Sequence, residues 1–362
     1  MKELEGKLDQ IRRLLGEREL DGLLLDRASS FAWATCGASS YINTASSTGA
    51  ASLLITPSAR YLIADNIEAP RLQKEENLAA QGWQLLTKHW YEPKDPAGDL
   101  MQGKRLGADG PRPGAADLSG ELARMRAALT NEEGDRMRDL GRICAEAMDE
   151  AVRRVRPGQS EYDIAGLLAE AAESRGAQAI VNLIATDERI YSYRHPLPTN
   201  KTLDRYAMLV LCGRKWGLVC SITRLVYFGQ LPGELRSKME ATARVDAAFI
   251  AATRPGSTLG DCFQVAVDAY GQEGFPEEWQ LHHQGGPAGY EPREYVATPG
   301  SEDKVLAGQA YAWNPSITGT KSEDTVLVTS NGHEVLTAIP GWPTLKVSIG
   351  GEEIERPLIL EA

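Results

Sequence analysis

Hydrophobic positions in the first third of the chain occur in short runs separated by polar segments. The runs DGLLLD, SLLIT, RYLIAD, GWQLLT and RLGAD are bounded by polar or glycine-rich loops, as buried strands are. Stretches with helical spacing lie between them, from the charged segment KELEGKLDQIRRLLGEREL to DLSGELARMRAAL. This alternation predicts an α/β domain over residues 1–128, followed by a second domain over residues 129–362.

The second domain is expected to begin with a long amphipathic helix. Thr130 or Asn131 can cap the segment NEEGDRMRDLGRICAEAMDEAVRRV, whose glutamates lie in the first turn, where they suit the helix dipole. This helix is expected to end at RPGQS. Ser160 then caps a further helix, with Asp163 as its partner in a capping box.

A short phrase of the second domain occurs twice. Residues 156–164 read RPGQSEYDI and residues 254–262 read RPGSTLGDC, and each phrase follows a predicted helix. Both place Ser or Thr three residues before Asp, and both precede predicted hairpins, the first being RYAMLVLCGRKWGLVCSITRLVYFG. We interpret this as an internal duplication of a helix-helix-hairpin unit about a pseudo-twofold axis.

Composition and charge narrow the class of protein. The chain is 42% hydrophobic and 25% charged with a formal net charge of -11, and no Lys/Arg cluster is interleaved with aromatic residues. Nucleic acid is therefore not expected as a partner. No apolar run approaches the ~18 residues of a membrane span, so we expect a cytoplasmic protein without membrane attachment. The cysteines form no CxxC pattern and are expected to be free thiols: Cys36, Cys144, Cys212, Cys220 and Cys262.

Several short motifs follow one another in a recognisable order. They are FAWATCG, His195-Pro196 in a proline-flanked loop, SITR at 221–224, HHQGGPAG from 282, Trp-Asn-Pro at 313–315, and EDTVLV from 323. Together they resemble the creatinase, prolidase and aminopeptidase P family of pita-bread hydrolases. The resemblance covers nearly the whole chain. It implies an N-terminal creatinase/prolidase-type α/β domain and a C-terminal pita-bread α+β domain with pseudo-twofold duplication.

The resemblance also implies a changed metal site. Metallopeptidases of this family hold two metal ions with two Asp, one His and two Glu. Ser221 stands where the second hairpin aspartate is expected, and Val210 or Leu211 where the first is. Gly286 takes the histidine position and Asn314 takes one glutamate position, so a single carboxylate of the five is retained. One carboxylate and an amide are too few anionic ligands for a dinuclear centre, so we expect no metal and no other cofactor.

The polar residues that remain are expected to line the former active-site cleft. By resemblance, His195 corresponds to the proton-transferring histidine of creatinase, although a role in the turn before Pro196 is the alternative. Glu323, the retained carboxylate, and Glu294 are the other catalytic candidates, which would orient water or a substrate nitrogen. The expected substrate-binding residues are His282, His283, Arg293, Asn314, Arg224 and Ser221.

Two of these expectations have explicit alternatives. Adjacent side chains on an extended segment point in opposite directions, so only one of His282 and His283 should enter the cleft, and we favour His282. The Arg293 guanidinium suits bidentate binding of a substrate carboxylate, but an ion pair with Glu294 or Glu323 fits equally well.

These features predict a metal-independent, creatinase-like hydrolase of a C–N bond in a small, polar, carboxylate-bearing substrate. The alternative is a non-catalytic protein that binds a peptide or metabolite in the same cleft. A third candidate is an Xaa-Pro dipeptidase or aminopeptidase with an unusual metal site. The expected partners are a small molecule or short peptide and, by resemblance, a second copy of the chain in a homodimer.

Overall fold

The computed structural model describes residues 2–362 and divides the chain into two compact units. Unit 1 contains the residues up to Arg126 together with Trp216–Leu218. Unit 2 contains Ala127–Lys215 and Val219–Ala362. Across the described residues, the helices are too short or too polar to cross a bilayer.

Unit 1 is built on a mixed six-stranded sheet. Its strands are β1 (Gly22–Arg27), β2 (Thr48–Ile55), β3 (Arg60–Asp65), β4 (Gln84–Lys88), β5 (Leu106–Ala108) and β6 (Ala115–Asp117). Their order in the sheet is β4-β3-β2-β1-β5-β6, with β1 antiparallel to β2 and parallel to β5. The helices are α1 (Lys2–Glu17), α2 (Ala28–Ala34), α3 (Ala69–Lys74), α4 (Pro96–Leu100) and α5 (Ser119–Ala127). The five apolar runs predicted as strands are β1 to β5.

The helices of unit 2 are α6 (Asn131–Arg154), α7 (Glu161–Glu173), α8 (Glu188–Ser192), α9 (Gly233–Ala252) and α10 (Leu259–Gln272), with a 3₁₀ helix at Glu278–Leu281. Three of these helices, namely α6, α7 and α10, begin at side-chain caps. Thr130, not Asn131, caps α6: its hydroxyl accepts from the Glu133 N–H, and the Glu133 carboxylate accepts from the Thr130 N–H at 2.7 Å. This reciprocal pair satisfies two amides that the helix itself leaves unbonded.

Two four-stranded sheets form the framework of unit 2. The strands are β7 (Gln178–Thr186), β8 (Tyr206–Lys215), β9 (Leu218–Tyr227), β10 (Gly285–Ala288), β11 (Ala310–Trp313), β12 (Ser316–Ile317), β13 (Thr320–Lys321), β14 (Asp324–Thr329), β15 (Gly332–Val335), β16 (Thr344–Ile349), β17 (Glu352–Pro357) and β18 (Leu360–Glu361). The sheet orders are β18-β9-β8-β7 and β10-β11-β14-β15, and β12-β13 and β16-β17 form two-stranded ribbons.

The repeated phrase forms the same local structure twice. Ser160 caps α7 and Thr258 caps α10, and each is paired reciprocally with the Asp three residues later. The turn before each cap is also held by an equivalent hydrogen bond from a glycine N–H to a distant backbone carbonyl. Gly158 N–H donates to Leu203 O at 2.8 Å, and Gly256 N–H donates to Val305 O at 3.0 Å. The predicted duplication of this element is therefore present in the hydrogen bonding as well as in the sequence.

The two halves of unit 2 meet where β9 runs beside the start of β14. Thr223 N–H donates to Glu323 O at 3.0 Å, and Ser221 N–H donates to Thr325 Oγ1 at 2.8 Å. Both contacts are buried and join residues that are far apart in the chain. The junction brings the ITR segment of one half against the EDTVLV segment of the other.

Candidate active site

A cleft of about 480 Å³ opens at this junction, within unit 2. One wall is apolar and contains Val181 and Leu183 of β7 with Val210 of β8. The charged and polar groups that line the cleft are those of His195, Cys212, His283, Arg293, Asn314, Lys321 and Glu323. A volume of this size accommodates a small-molecule ligand.

A buried carboxylate, that of Glu161, holds the loop that contains His195 in place. Glu161, which is fully buried, accepts hydrogen bonds from the backbone N–H and hydroxyl of Thr186 and from the N–H and hydroxyl of Thr199. It also pairs with Arg189. These contacts hold the chain on both sides of His195, at Thr186 and at Thr199, and so restrict where His195 can lie.

An ion pair links the His195 loop to the segment that leads into His282. Arg194 Nη2 donates to Glu278 Oε2 at 2.7 Å and to Thr318 Oγ1 at 3.0 Å. Glu278 begins the 3₁₀ helix that ends immediately before His282. Two histidines that are distant in sequence are therefore held together by the residues next to them.

The structure brings His195, His282 and His283 together, and we refer to these three residues as the histidine cluster. His195 Nε2 lies 3.1 Å from His282 Nε2, and one ring nitrogen from each of the three residues lies within 4.8 Å of the others. His282 is buried, whereas His195 and His283 are exposed at the cleft.

The environment of the histidine cluster favours neutral imidazoles. Burial lowers the pKa of His282 to about 2, and the nearby Lys321 ammonium lowers it in the same direction. Desolvation, followed by the charge of Arg293, lowers the pKa of His283 to about 4. Desolvation and Lys321 also lower the pKa of His195 below its ordinary value. At neutral pH each ring thus carries a lone pair that can accept a proton.

Glu323 lies between two cations at the floor of the cleft. Its Oε1 accepts from Arg293 Nη2 at 2.9 Å, and its Oε2 lies 3.0 Å from Lys321 Nζ and accepts from Thr223 Oγ1 at 2.6 Å. The three charged side chains are at most 9% exposed. Burial by itself raises the pKa of Glu323, but Lys321 and Arg293 outweigh this effect and lower it to about 2. The alternative that Arg293 pairs with Glu323 is therefore the arrangement observed.

Cys212 and Asn314 are further polar residues that line the cleft, and Ser221 is buried beside them. The Ser221 hydroxyl is fully buried, accepts from Arg293 Nη1 at 3.1 Å and lies 3.3 Å from Cys212 Sγ. Desolvation raises the pKa of Cys212 to about 11, so this residue is a thiol at neutral pH. Asn314 is 2% exposed, and its Oδ1 has no hydrogen-bond partner within the protein. Such an oxygen is a place for a ligand N–H, because an unbonded buried carbonyl is costly.

Only one of His282 and His283 lines the cleft, as expected, but it is not the one that we favoured. We expected opposite directions with His282 entering the cleft, yet the two rings lie side by side, with centroids 4.4 Å apart, and it is His283 that lines the cleft. His282 lies behind it, against His195. The reason is local: the pair follows a 3₁₀ helix at a bend, where the side-chain alternation of an extended strand does not apply.

Four predicted site residues do not line the cleft: His282 and Ser221 are buried next to it, and Arg224 and Glu294 bond elsewhere. Arg224 points away from it, because its guanidinium donates to Asp324 Oδ1 at 2.8 Å and to Thr337 O at 3.0 Å. Glu294 accepts from the backbone N–H of Tyr290 at 2.8 Å within its own loop. Glu294 directly follows Arg293, which lines the cleft, but lies in a loop, whereas Arg224 lies on β9, where strand alternation points it away from Ser221.

The register of β8 determines which residues occupy the hairpin wall. Val210 and Cys212 line the cleft, and Leu211 between them does not. Of the two positions considered for the first hairpin aspartate, Val210 is the one at the cleft. Cys212, which the sequence analysis did not assign to the site, is the nearest hairpin neighbour of Ser221.

Lys321 is the main site residue that the sequence analysis missed. It lies two positions before Glu323 in the segment TKSED, a spacing that puts two side chains on the same face of an extended chain. That spacing was the available signal. Lys321 adds a second cation to the carboxylate and lowers the pKa of every member of the histidine cluster.

The sequence profile of metallopeptidase family M24 matches residues 135–330, which is more than half of the chain. The chain is 25% identical to the Xaa-Pro dipeptidase of Pyrococcus furiosus over 223 residues, which are 59% of this chain and 64% of the dipeptidase. It is 31% identical over 140 residues to the agropine synthesis cyclase of Rhizobium rhizogenes, covering 36% of this chain and 35% of the cyclase. The chain thus spans less than two thirds of either relative.

The structural comparison agrees with the sequence comparison. The prolidase from Pyrococcus horikoshii OT3 superposes with a TM-score of 0.79 at 19% identity, covering 92% of this chain and 98% of the prolidase. This confirms the predicted fold class, an α/β architecture of the prolidase type over nearly the entire chain.

Proposed function

Because the chain belongs to metallopeptidase family M24, we propose that it is a hydrolase, and that it cleaves a C–N bond in a small, polar, carboxylate-bearing substrate without a metal ion. The proposal rests on the position of Glu323, whose two carboxylate oxygens form ion pairs with Arg293 and with Lys321. The same arrangement argues against a metal ion at Glu323 and for an anionic group on the substrate.

A dinuclear metal centre, which the name of the family implies, does not fit these residues. Both oxygens of Glu323 are held by cations, and a second carboxylate is absent from the described residues that line the cleft. A histidine at position 286 does not fit the present backbone either, since a Cβ on Gly286 would lie 2.4 Å from Tyr295 O. Two divalent ions need several anionic oxygens to offset their lost hydration, and this cleft offers one that is already neutralised.

The charge balance of the cleft floor favours an anion. Arg293 and Lys321 carry two positive charges against the single negative charge of Glu323, and the Nε of Arg293 has no hydrogen-bond partner. A substrate carboxylate here gains charge-assisted hydrogen bonds and removes the imbalance. The apolar wall of Val181, Leu183 and Val210 then faces the uncharged part of the substrate.

The histidine cluster supplies the proton transfer. A water molecule gives a proton to His195 as its oxygen bonds to the carbon of the scissile C–N bond. The electrons of that bond then move to the nitrogen, which takes the proton back from His195 and leaves. His195 Nε2 faces His282, so the ring nitrogen that accepts the proton is Nδ1. The unbonded Oδ1 of Asn314 is the acceptor for a substrate N–H.

A ring-forming reaction is the second candidate function. One relative, 31% identical over part of the chain, is named as a synthesis cyclase and not as a peptidase. The same cleft serves such a reaction if a hydroxyl or amine of the substrate itself replaces the attacking water and gives its proton to His195. The two candidates then differ only in whether an atom from water enters the product.

The test begins with a thermal-shift screen of protein that has been freed of metal by dialysis against a chelator. The panel contains carboxylate-bearing amides, guanidino and amidino acids and Xaa-Pro dipeptides, each beside its carboxamide counterpart. A bound ligand raises the unfolding midpoint by mass action. We expect carboxylates to stabilise the protein and their carboxamides to do so at least tenfold more weakly.

Each stabilising compound is then incubated with the protein in isotopically labelled water, and the masses of the products are measured by mass spectrometry. Label in the product supports hydrolysis, whereas an unlabelled product that has lost ammonia or an amine supports the cyclase. His195→Ala should abolish turnover and keep binding, and His333→Ala, outside the cleft, should change neither. Binding without turnover would favour the non-catalytic alternative, and activity that needs added metal would refute metal independence.

A further inference from the structure

We propose that the histidine cluster, His195 with His282 and His283, binds a single first-row transition metal ion such as Zn²⁺, at a position separate from Glu323. Within the described chain, no other group of three or more histidine, cysteine or acidic side chains converges this closely. The site therefore consists of three nitrogen ligands and lies beside the carboxylate, not on it.

The spacing of the ring nitrogens suits a tetrahedral ion. Zinc binds imidazole nitrogen at about 2.0–2.1 Å, which places two such ligands roughly 3.3 Å apart. His195 Nε2 and His282 Nε2 are already 3.1 Å apart, and the third nitrogen lies within 4.8 Å of both. Binding therefore requires His283, which is exposed and lies in an irregular segment, to move closer, and the other two rings to turn so that both Nε2 lone pairs point at the ion.

The hydrogen now shared between His195 and His282 is the one that the metal replaces. Two Nε2 atoms that face each other can form one hydrogen bond only if a single hydrogen lies between them. When a metal ion takes both Nε2 lone pairs, the ring that held this hydrogen carries it on Nδ1 instead, so both imidazoles stay neutral. The exposed side of His195 and His283 gives the ion access from the cleft, and it leaves a fourth position for water or a ligand atom.

The charged side chains around the histidine cluster influence its affinity for a metal ion. Lys321 and Arg293 both repel a divalent cation, and Glu323 attracts one. Nitrogen ligands without carboxylates also select against Mg²⁺ and Ca²⁺, which prefer oxygen. We therefore expect zinc, copper or nickel to bind, and magnesium or calcium to compete poorly.

Metal binding has a functional consequence that rests on the proposed function. An ion on His195 Nε2 leaves the hydrogen of the ring on Nδ1, the atom that takes the proton from water, so zinc is a reversible inhibitor of the metal-free enzyme. Removal of zinc with a chelator restores turnover. The binding itself does not depend on any activity and can be measured without a substrate.

The experiment measures zinc affinity in metal-free, full-length protein by competition with a chromophoric zinc chelator, and geometry by the visible absorption of bound Co²⁺. We expect one equivalent of zinc and a cobalt spectrum typical of four-coordination. His195→Ala and His283→Ala, both exposed positions, should each weaken zinc binding at least tenfold. His333→Ala is the matched control and should leave it unchanged, and Lys321→Met should tighten it.

The outcomes separate this proposal from the proposed function. Zinc binding that survives His195→Ala and His283→Ala, or that falls equally in His333→Ala, would overturn the site. An absence of binding at millimolar zinc would do the same while leaving metal-free hydrolysis intact. Turnover that rises on adding zinc would keep the site and refute metal independence.

Discussion

Glu323→Gln tests whether the buried cluster at the cleft floor depends on its one negative charge. Glutamine keeps the shape of the side chain and can still hydrogen-bond to Thr223, but it leaves Arg293 and Lys321 buried without an anion. The folded state, which holds both cations close together, should therefore lose stability relative to the unfolded chain, where each is hydrated.

The expected magnitude follows from the pKa of Glu323. The two cations lower this pKa from an ordinary 4.5 to about 2. At about 1.4 kcal/mol per pKa unit, the ionised carboxylate contributes on the order of 3 kcal/mol to the free energy of unfolding. Loss of one partner of a buried ion pair typically costs about 3–5 kcal/mol, which agrees with this value.

The pH dependence has a defined sign. A depressed pKa in the folded state gives a contribution that is complete above pH 4.5 and is lost as the pH falls towards about 2. The wild-type protein should therefore lose this part of its stability on acidification, and Glu323→Gln should lack it at every pH. The difference between the two proteins should be largest near neutral pH and should shrink below about pH 4.5.

The assay is urea unfolding at pH 7 and at pH 4, followed by circular dichroism. Glu334→Gln is the matched control, because Glu334 forms an exposed ion pair with Arg138, and such pairs contribute about 1 kcal/mol or less. Adding Lys321→Met to Glu323→Gln should recover part of the loss, since one unpaired cation is then removed. A Glu323→Gln variant as stable as Glu334→Gln at pH 7 would refute the reasoning.

Three further predictions concern the histidine environment and the scaffold. Lys321→Met should raise the pKa of His195, because it removes a nearby positive charge. Under the proposed function, the acid limb of the pH profile of kcat/KM then moves to higher pH. An acid limb that does not move would contradict the role given to Lys321. Glu161→Gln should lower the unfolding free energy by about 2 kcal/mol or more, because one carboxylate holds both ends of the His195 segment. Thr258→Ala should cost about 1 kcal/mol in the same urea assay through loss of the α10 cap.

The scaffold was largely predictable from the sequence because its signals are local. Capping boxes need only a hydroxyl and a carboxylate three residues apart, and those at Ser160 and Thr258 form as expected. Alternation along a strand is equally local: on β9, Cys220 packs against Met137, and the next residue, Ser221, contacts the cleft residue Arg293. Each of these predictions depends on neighbours within a few positions of the chain.

The site was less predictable because it depends on side-chain directions in irregular segments. Glu294 follows the cleft residue Arg293 yet bonds within its own loop, where no periodicity gives the direction of a side chain. Arg224, by contrast, lies on β9, where strand alternation gives its direction away from Ser221. Lys321 was missed because its significance comes from Glu323 and Arg293, which the fold brings to it. The order of the motifs identified the region of the chain that contains the site. Which charged side chains pair with one another could be learned only from the tertiary structure.

The junction between β9 and β14 has a consequence for how this protein acquires its cleft. The contacts of Thr223 and Ser221 with Glu323 and Thr325 join segments about 100 residues apart, so they form only after both halves of unit 2 have been assembled. Contacts of such long sequence separation form late, because closing the intervening loop costs entropy first. During refolding, ligand binding should therefore recover more slowly than helical circular dichroism, and the cleft is a product of the last docking step.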